Sequence, residues 1–182
     1  MSPNPRNKVS LGLLVAASLL MAGAAQAKQS DRNQPMDIQS DSQDGTAAAD
    51  GVTNLVGDVV IIQGTLEVHA SKGQIFRKGG DTVRGVFTGK QARLKQINDD
   101  GTPVEATADT IDYDMVNNIV TLTGNYKVTS PKGTNAGQKM VYNTVTGSMQ
   151  SGGDGTRVHT VIQPKAKAPA TPAATPAKPG AK

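Results

Sequence analysis

The chain has 182 residues, no cysteine, 36% hydrophobic and only 3% aromatic residues, and a formal net charge of +4. One domain fits that length, and disulfides and thiolate metal sites are excluded. The positive charge is no footprint for nucleic acid, because six of the nineteen basic residues fall in terminal segments that do not belong to the fold, leaving thirteen bases against fifteen acids.

Residues 1–27 read as a secretory signal peptide. Arg6 and Lys8 supply a basic start, "VSLGLLVAASLLMAGA" an apolar run too short for a usual membrane span, and Ala25 to Ala27 a small-residue cleavage site. The domain is expected over 28–163, in a periplasmic or secreted compartment. "MDIQSD", near its start, predicts an edge strand. "LVGDVVIIQGTLEVHASKGQIFR" (55–77) follows, and within it "LEVHA" (66–70) alternates apolar and polar residues with the period of a strand. "RKGGD" and "NDDG" predict turns. "INDDGTPVEAT" reads as an inserted hairpin loop. In "TIDYDM" (110–115), Ile111 and Tyr113 are expected on one face and Asp112 and Asp114 on the other. "IVTLTGNYKV" (119–128) is another alternating run. "VHTVIQ" (158–163) predicts the last strand, ended by Pro164, which has no N–H for a ladder. Residues 164–182 are Pro, Ala and Lys; they bury too little apolar surface to offset their ordering entropy and read as an extended tail.

The middle of the chain echoes itself. "LTGNYKVTSPKGTNAGQKMVYN" (122–143) repeats the plan of 55–77: Leu-x-Gly-Asx, a β-branched run, a small-residue turn and a returning apolar run. Gly57, Gly85, Gly124 and Gly152 lie 28, 39 and 28 residues apart, a spacing that predicts stacked hairpin units. No helical periodicity interrupts them, so the fold class is all-β.

Several of these stretches together resemble the OstA-like family of periplasmic lipopolysaccharide transport proteins. They are "NQPMDIQSD", "LVGDVVIIQGTLEVHA", "GQIFRKGG", "NDDGTPVEATADTIDYD" and "VTLTGNYKV", running from about Asn33 to Pro164. Gly73, Gln74 and Lys95 depart from the pattern, standing where larger apolar or aromatic residues are usual. The resemblance implies an antiparallel β-jellyroll of stacked hairpins, slightly open along one side, with a groove that shields lipid A acyl chains. It also implies the periplasm as the compartment, and head-to-tail self-assembly into a bridge between inner-membrane and outer-membrane partners.

The chemistry of the residues agrees with carriage better than with catalysis. His69 and His159 have no paired ligand spacing, and no nucleophile elbow, phosphate loop or dinucleotide fingerprint occurs. No enzyme, metal or cofactor is expected. A lipid carrier needs an apolar trough, because each methylene withdrawn from water is worth about 0.8 kcal/mol. The candidate lining is Met36, Ile38, Ile61, Val68, Ile75 and Phe87 in the first half. In the second half it is Leu94, Ile111, Tyr113, Leu122, Tyr126 and Tyr142. Ordinary core packing is the alternative for each of them; for Met36, Ile38, Leu94 and Tyr113 the resemblance adds a place on the family's lipid-contacting face. Residues 72–95 hold seven bases and one acid, and 99–114 six acids and no base. Two solvated faces explain that segregation; the sharper reading puts Arg77, Lys78 and Arg84 at the groove's rim against lipid A phosphates. The competing function is a secreted structural or adhesive β-solenoid with no lipid in it, which a fully packed interior would favour. A periplasmic hydrolase lacks any convergent acid, base and nucleophile.

Overall fold

A computed structural model describes Asp31 and residues 33–164; the signal-peptide reading and most of the tail reading lie outside the described residues. Ten strands form one antiparallel sheet: β1 (Asp37–Gln39), β2 (Ser42–Gly45), β3 (Gly51–Gln63), β4 (Leu66–Lys78), β5 (Asp81–Ile97), β6 (Pro103–Asp114), β7 (Ile119–Ser130), β8 (Gly133–Asn143), β9 (Met149–Ser151) and β10 (His159–Ile162). From β3 to β8 each strand pairs with the next as a hairpin meander. β1 and β2 both line the outer side of β3, and β9 and β10 both line β8. The two ends of the sheet do not pair, so the architecture is open.

Five of the six long strands, β3 to β7, are interrupted near their middles. The register slips between Val56 and Val59 on β3, His69 and Lys72 on β4, Thr88 and Ala92 on β5, Thr107 and Thr110 on β6, and Thr123 and Tyr126 on β7. These slips are neighbours across the ladder, so they form one line of bulges through the sheet, and bulges bend strands. The bend is sharp. Val120 and Val128 line the same cavity although they are eight residues apart on β7, which is roughly 26 Å on a straight strand. The sheet is therefore folded along the bulge line into two facing leaves, which gives the jellyroll.

The bulges also switch the phase of burial. On β4, Leu66 and Val68 are buried before the bulge and Ile75 after it; on β6, Ala106 and Ala108 before and Ile111 after. Each strand thus keeps its apolar side inside on both leaves. The core between the leaves is Leu55, Val59, Ile61, Val68, Ile75, Phe87, Ile111, Leu122, Tyr126 and their small neighbours.

The echoed Leu-x-Gly-Asx is the corner device. Gly57 and Asp58 have φ of 74° and 40°, Gly124 and Asn125 of 78° and 46°: two consecutive left-handed residues at each corner. Glycine and Asx are the residue types that tolerate that region. The glycine period, in contrast, was an incomplete guide. Gly85 sits mid-leaf, under the Phe87 ring, and Gly152 lies beyond β9; neither is on the bulge line. "INDDGTPVEAT" is not an inserted loop. Its turn is short, closed by Asn98 N–H to Thr102 O (2.9 Å) and Gly101 N–H to Asn98 O (2.9 Å), and the longer spacing comes from the 17-residue β5. Gly73 has a packing reason: a Cβ there would lie 3.3 Å from the Phe87 ring, so the glycine makes room for the aromatic.

Candidate functional site

The leaves meet along the bulge line and part along the opposite side. There, the turns after β3, β5 and β7 face the turns after β4, β6 and β8. Between them runs an apolar slot. Its deeper part is a cavity of about 170 Å³. Leu66, Leu94, Val104 and Val128 line it from one leaf and Tyr113, Val120, Leu122, Met140 and Tyr142 from the other, with Met149 at its end. The few polar groups, Gln96, Asn98, Ser130 and Thr144, sit among the turns. A second opening of about 380 Å³ continues the slot toward the N-terminal edge, lined by Met36, Gln63, Asp81, Thr82, Tyr113 and Met115. Tyr113 lines both, so the two openings adjoin at its side chain, the second being the more polar with Gln63, Asp81 and Thr82 in its wall.

Strand alternation places these side chains. On β6, Ile111 and Tyr113 point between the leaves while Asp112 faces out to Arg84. On β8, Met140 and Tyr142 share the inner face. The N-terminal segment is lashed down by Asp31, which is buried and accepts hydrogen bonds from the backbone N–H of Thr65 (3.0 Å) and from its hydroxyl. Gln63 Nε2 donates to Gln34 O (3.1 Å) beside it. That anchoring seats Met36 in the slot.

The twelve candidate lining residues divide. Leu94, Tyr113, Leu122 and Tyr142 line the deeper cavity, and Met36 with Tyr113 lines the second opening. Ile61, Val68, Ile75, Phe87, Ile111 and Tyr126 are buried in the packed core nearer the bend. Ile38 is half-buried against that core. Tyr126 is held there by its hydroxyl, which donates to Asn135 Oδ1 at 2.6 Å. Asn135 in turn donates to Thr160 Oγ1 (2.8 Å) and accepts from Ser151 (3.2 Å). This buried polar knot joins β7, β8, β9 and β10, and nothing in the sequence marked Asn135. Leu66, Val120, Met140 and Met149 were also missed. The first three carry a signal, the inner phase of "LEVHA", "IVTLTG" and "KMVYN"; Met149 stands in too short a strand for alternation to show.

The three basic rim candidates do not cluster. Arg77 has the inner-face phase of Ile75 at the end of β4; its Nη2 donates to Thr46 O, and its buried Nε has no hydrogen-bond partner. Lys78 is exposed at the β4–β5 turn. Arg84 lies on the outer face, with Nε donating to Asp112 Oδ1 at 2.8 Å and its guanidinium 5.5 Å from the Phe76 ring centroid. Asp112 holds the Arg84 guanidinium above its ordinary pKa. The basic and acidic runs of the sequence turn out to be neighbours: β5 and β6 pair, and Arg84 with Asp112 and Arg93 with Glu105 (3.4 Å) meet across them.

Charge at the slot itself is sparse. Tyr142 is pushed above the usual phenol range by burial and secondarily by the Asp100 carboxylate of the facing turn. Asp100 is held low by Thr102 and, more weakly, by Lys132 at 3.7 Å. At the β6–β7 turn, Asp114 is held low by the backbone N–H of Asn117 (2.9 Å) and then by its side-chain amide (2.7 Å). His69 sits beside Glu67 on the exposed face, and the described residues contain no group of three His, Cys, Asp or Glu that could hold a metal. The deeper cavity is an apolar space whose few polar groups do not converge, suited to holding a hydrocarbon chain.

Comparison with known proteins agrees with this geometry. Residues 37–148 match the model of the family described as LptA/(LptD N-terminal domain) LPS transport protein. The lipopolysaccharide export system protein LptA of Escherichia coli K12 is 37% identical over 162 residues, 87% of each chain. That of Haemophilus influenzae is 31% identical, over 84% of this chain and 90% of its own. The crystal structure of LptH from Pseudomonas aeruginosa, the LptA-homologous periplasmic component of the lipopolysaccharide transport device, superposes with a TM-score of 0.66 at 29% identity. It covers 74% of this chain and 99% of that one. The chain belongs to the LptA/LptD N-terminal domain family of lipopolysaccharide transport proteins.

Proposed function

We propose that this protein is a periplasmic lipopolysaccharide carrier, not an enzyme, and that the slot between its leaves shields lipid A acyl chains. The observation that carries the reading is the slot itself: its deeper cavity is apolar on both walls and open along one side, and Tyr113 joins it to a second, more polar opening. An open side lets a lipid with a large polar head keep the head in water while its tails lie inside. Ten methylenes withdrawn this way are worth about 8 kcal/mol. The deeper cavity, about 170 Å³, is smaller than an ordinary small-molecule site of roughly 300–1,000 Å³. A multi-chain lipid therefore does not fit the deeper cavity alone; its tails extend into the adjoining opening of about 380 Å³ or part the leaves. Residues 1–27 act as the export signal.

The same open sheet supports head-to-tail assembly. β1 and β2 at one end and β10 at the other present unpaired edges, and such edges pair with another chain. β10 is exposed throughout, with Ile162 80% accessible. A contact of one end on the other does not close and grows a filament, which suits a bridge to inner-membrane and outer-membrane components of the transport machine. Arg77, on the inner-face side of the leaf edge, is the basic residue best placed to meet a lipid A phosphate.

Photo-crosslinking tests the reading. A photoreactive residue at Tyr113 or Leu94 should form a lipopolysaccharide adduct in the exported protein, and one at Asp112, on the outer face of the same strand as Tyr113, should not. A folded, exported protein without an adduct at either inner site would favour a packed structural solenoid instead.

A further inference from the structure

The trough has an unusual composition for so small a feature. All four methionines among the described residues line it: Met140 and Met149 in the deeper cavity, Met36 and Met115 in the second opening. The remaining two methionines of the chain, Met1 and Met21, fall within the first 27 residues. A thioether on an unbranched stem adapts to varied apolar partners. In a chain with neither cysteine nor tryptophan, it is also the apolar side chain most readily converted into a polar one by oxidants of the cell envelope.

The four differ in access. Met149 is 51% exposed at the end of the slot, Met36 and Met115 are half-buried, and Met140 is buried at 2%. The described residues have no cysteine to take an oxidant first, and neither has the rest of the chain.

We propose that this methionine seam is a modification site, at which a peroxide oxidant switches the trough from lipid-binding to lipid-rejecting. The inference rests on the carrier reading above. In each event a thioether sulfur takes one oxygen atom from hydrogen peroxide. The O–O bond breaks, the S–O bond forms, sulfur loses two electrons and water leaves. Each sulfoxide then presents a strong dipole that a covering alkyl chain strips of water and to which it offers no hydrogen bond. Reactivity follows exposure: Met149 first, Met36 and Met115 next, Met140 last. Acyl chains lying in the trough cover the same sulfurs, so bound lipid slows the reaction.

The experiment uses the full mature chain with purified lipopolysaccharide as probe. Affinity is measured before and after graded hydrogen peroxide, with peptide mass mapping of each methionine and circular dichroism to confirm that the sheet persists. Complete oxidation of Met36, Met115 and Met149 should weaken binding about tenfold, equivalent to ~1.4 kcal/mol. Methionine sulfoxide reductase should restore it. In a Met36→Leu, Met115→Leu, Met149→Leu chain the ratio of treated to untreated affinity should stay near one, whatever its untreated value. Should that chain fail to fold, Met149→Leu alone should still shrink the loss at low oxidant dose. Unchanged affinity in fully sulfoxidised, folded protein overturns the switch. So does an equal loss in the leucine chain. An untreated protein that binds no lipopolysaccharide overturns the carrier reading itself, a failure visible before any oxidant is added.

Discussion

Replacing Gly124 with alanine tests whether the corner, and not merely a flexible residue, is what the fold requires there. Gly124 has φ +78°, where an L side chain costs roughly 1–2 kcal/mol. A Cβ built on it would also fall 2.8 Å from the Asp109 Cβ and 2.9 Å from its Cγ, well inside contact. Asp109 has to move, and it is the acceptor for Asn125 Nδ2 at 3.0 Å. A hydrogen bond to a charged group contributes about 1.5–3 kcal/mol. Asn125 is bound in turn to Gln138 across the next strand and to Gln91 through its carbonyl, so the disturbance falls on the whole bend. The expected loss is about 3–4 kcal/mol. Gly101 is the matched control: its φ is +76° and a Cβ there meets nothing within 4 Å, so Gly101→Ala bears only the backbone cost. Urea unfolding followed by far-ultraviolet circular dichroism compares the two midpoints at constant slope. Gly124→Ala should lose at least twice the stability that Gly101→Ala does. Equal losses would show that the Asp109 contact carries nothing and would refute the corner as a packed device.

Two more consequences are open to measurement. Tyr142, raised above the usual phenol pKa by burial and then by Asp100, keeps its proton in the folded state at a pH where the unfolded chain has lost it; its contribution is complete below about pH 10 and falls as pH rises through the folded pKa. Tyr142→Phe should flatten the alkaline loss of stability above that pH, and a phenolate absorbance titration that finds no high-titrating tyrosine in the wild type would contradict the placement. Asn135→Leu strands the buried Tyr126 hydroxyl and cuts the link to Thr160, at about 1–3 kcal/mol. Amide hydrogens of β10 should exchange faster in that variant, and unchanged protection there would mean that β10 does not depend on the knot.

The sequence was most legible where a single period ran unbroken. Ile111 against Asp112 and Leu66 against Glu67 sorted onto their faces as alternation requires, and the Leu-x-Gly-Asx echo pointed at two real corners. It was least legible at the bulges. An extra residue reverses which parity is inside, so Ala108 and Ile111 are both buried although three residues apart. A reader following one phase through "ATADTIDYD" loses it at Asp109, and that interruption is what folds the sheet. The same interruption blurs the repeat, because β5 turns its corner at Gly89 to Gln91, with Gln91 at φ +76°, instead of with a Gly-Asx pair.

The division of the candidate lining into slot and core follows from the same bend. All twelve candidates are apolar or aromatic, and alternation alone gives no depth along a strand. Depth is set by distance from the fold line. Ile111 is two residues from the β6 slip and is sealed between the leaves; Tyr113, two residues farther out on the same face, lines the slot. Tyr126, at the β7 slip, is sealed in the core; Leu122, on the other flank, is buried at the floor of the cavity, and Val120 and Val128, farther from the slip, line its walls. A carrier of this design obtains rigidity and capacity from one sheet: the bend packs side chains tightly enough to hold the leaves together, and the far ends of the strands are left apart for a guest. Substitutions near the fold line should therefore act first on stability and those near the strand ends first on binding, a gradient that a leucine or alanine scan along β6 and β7 reads directly.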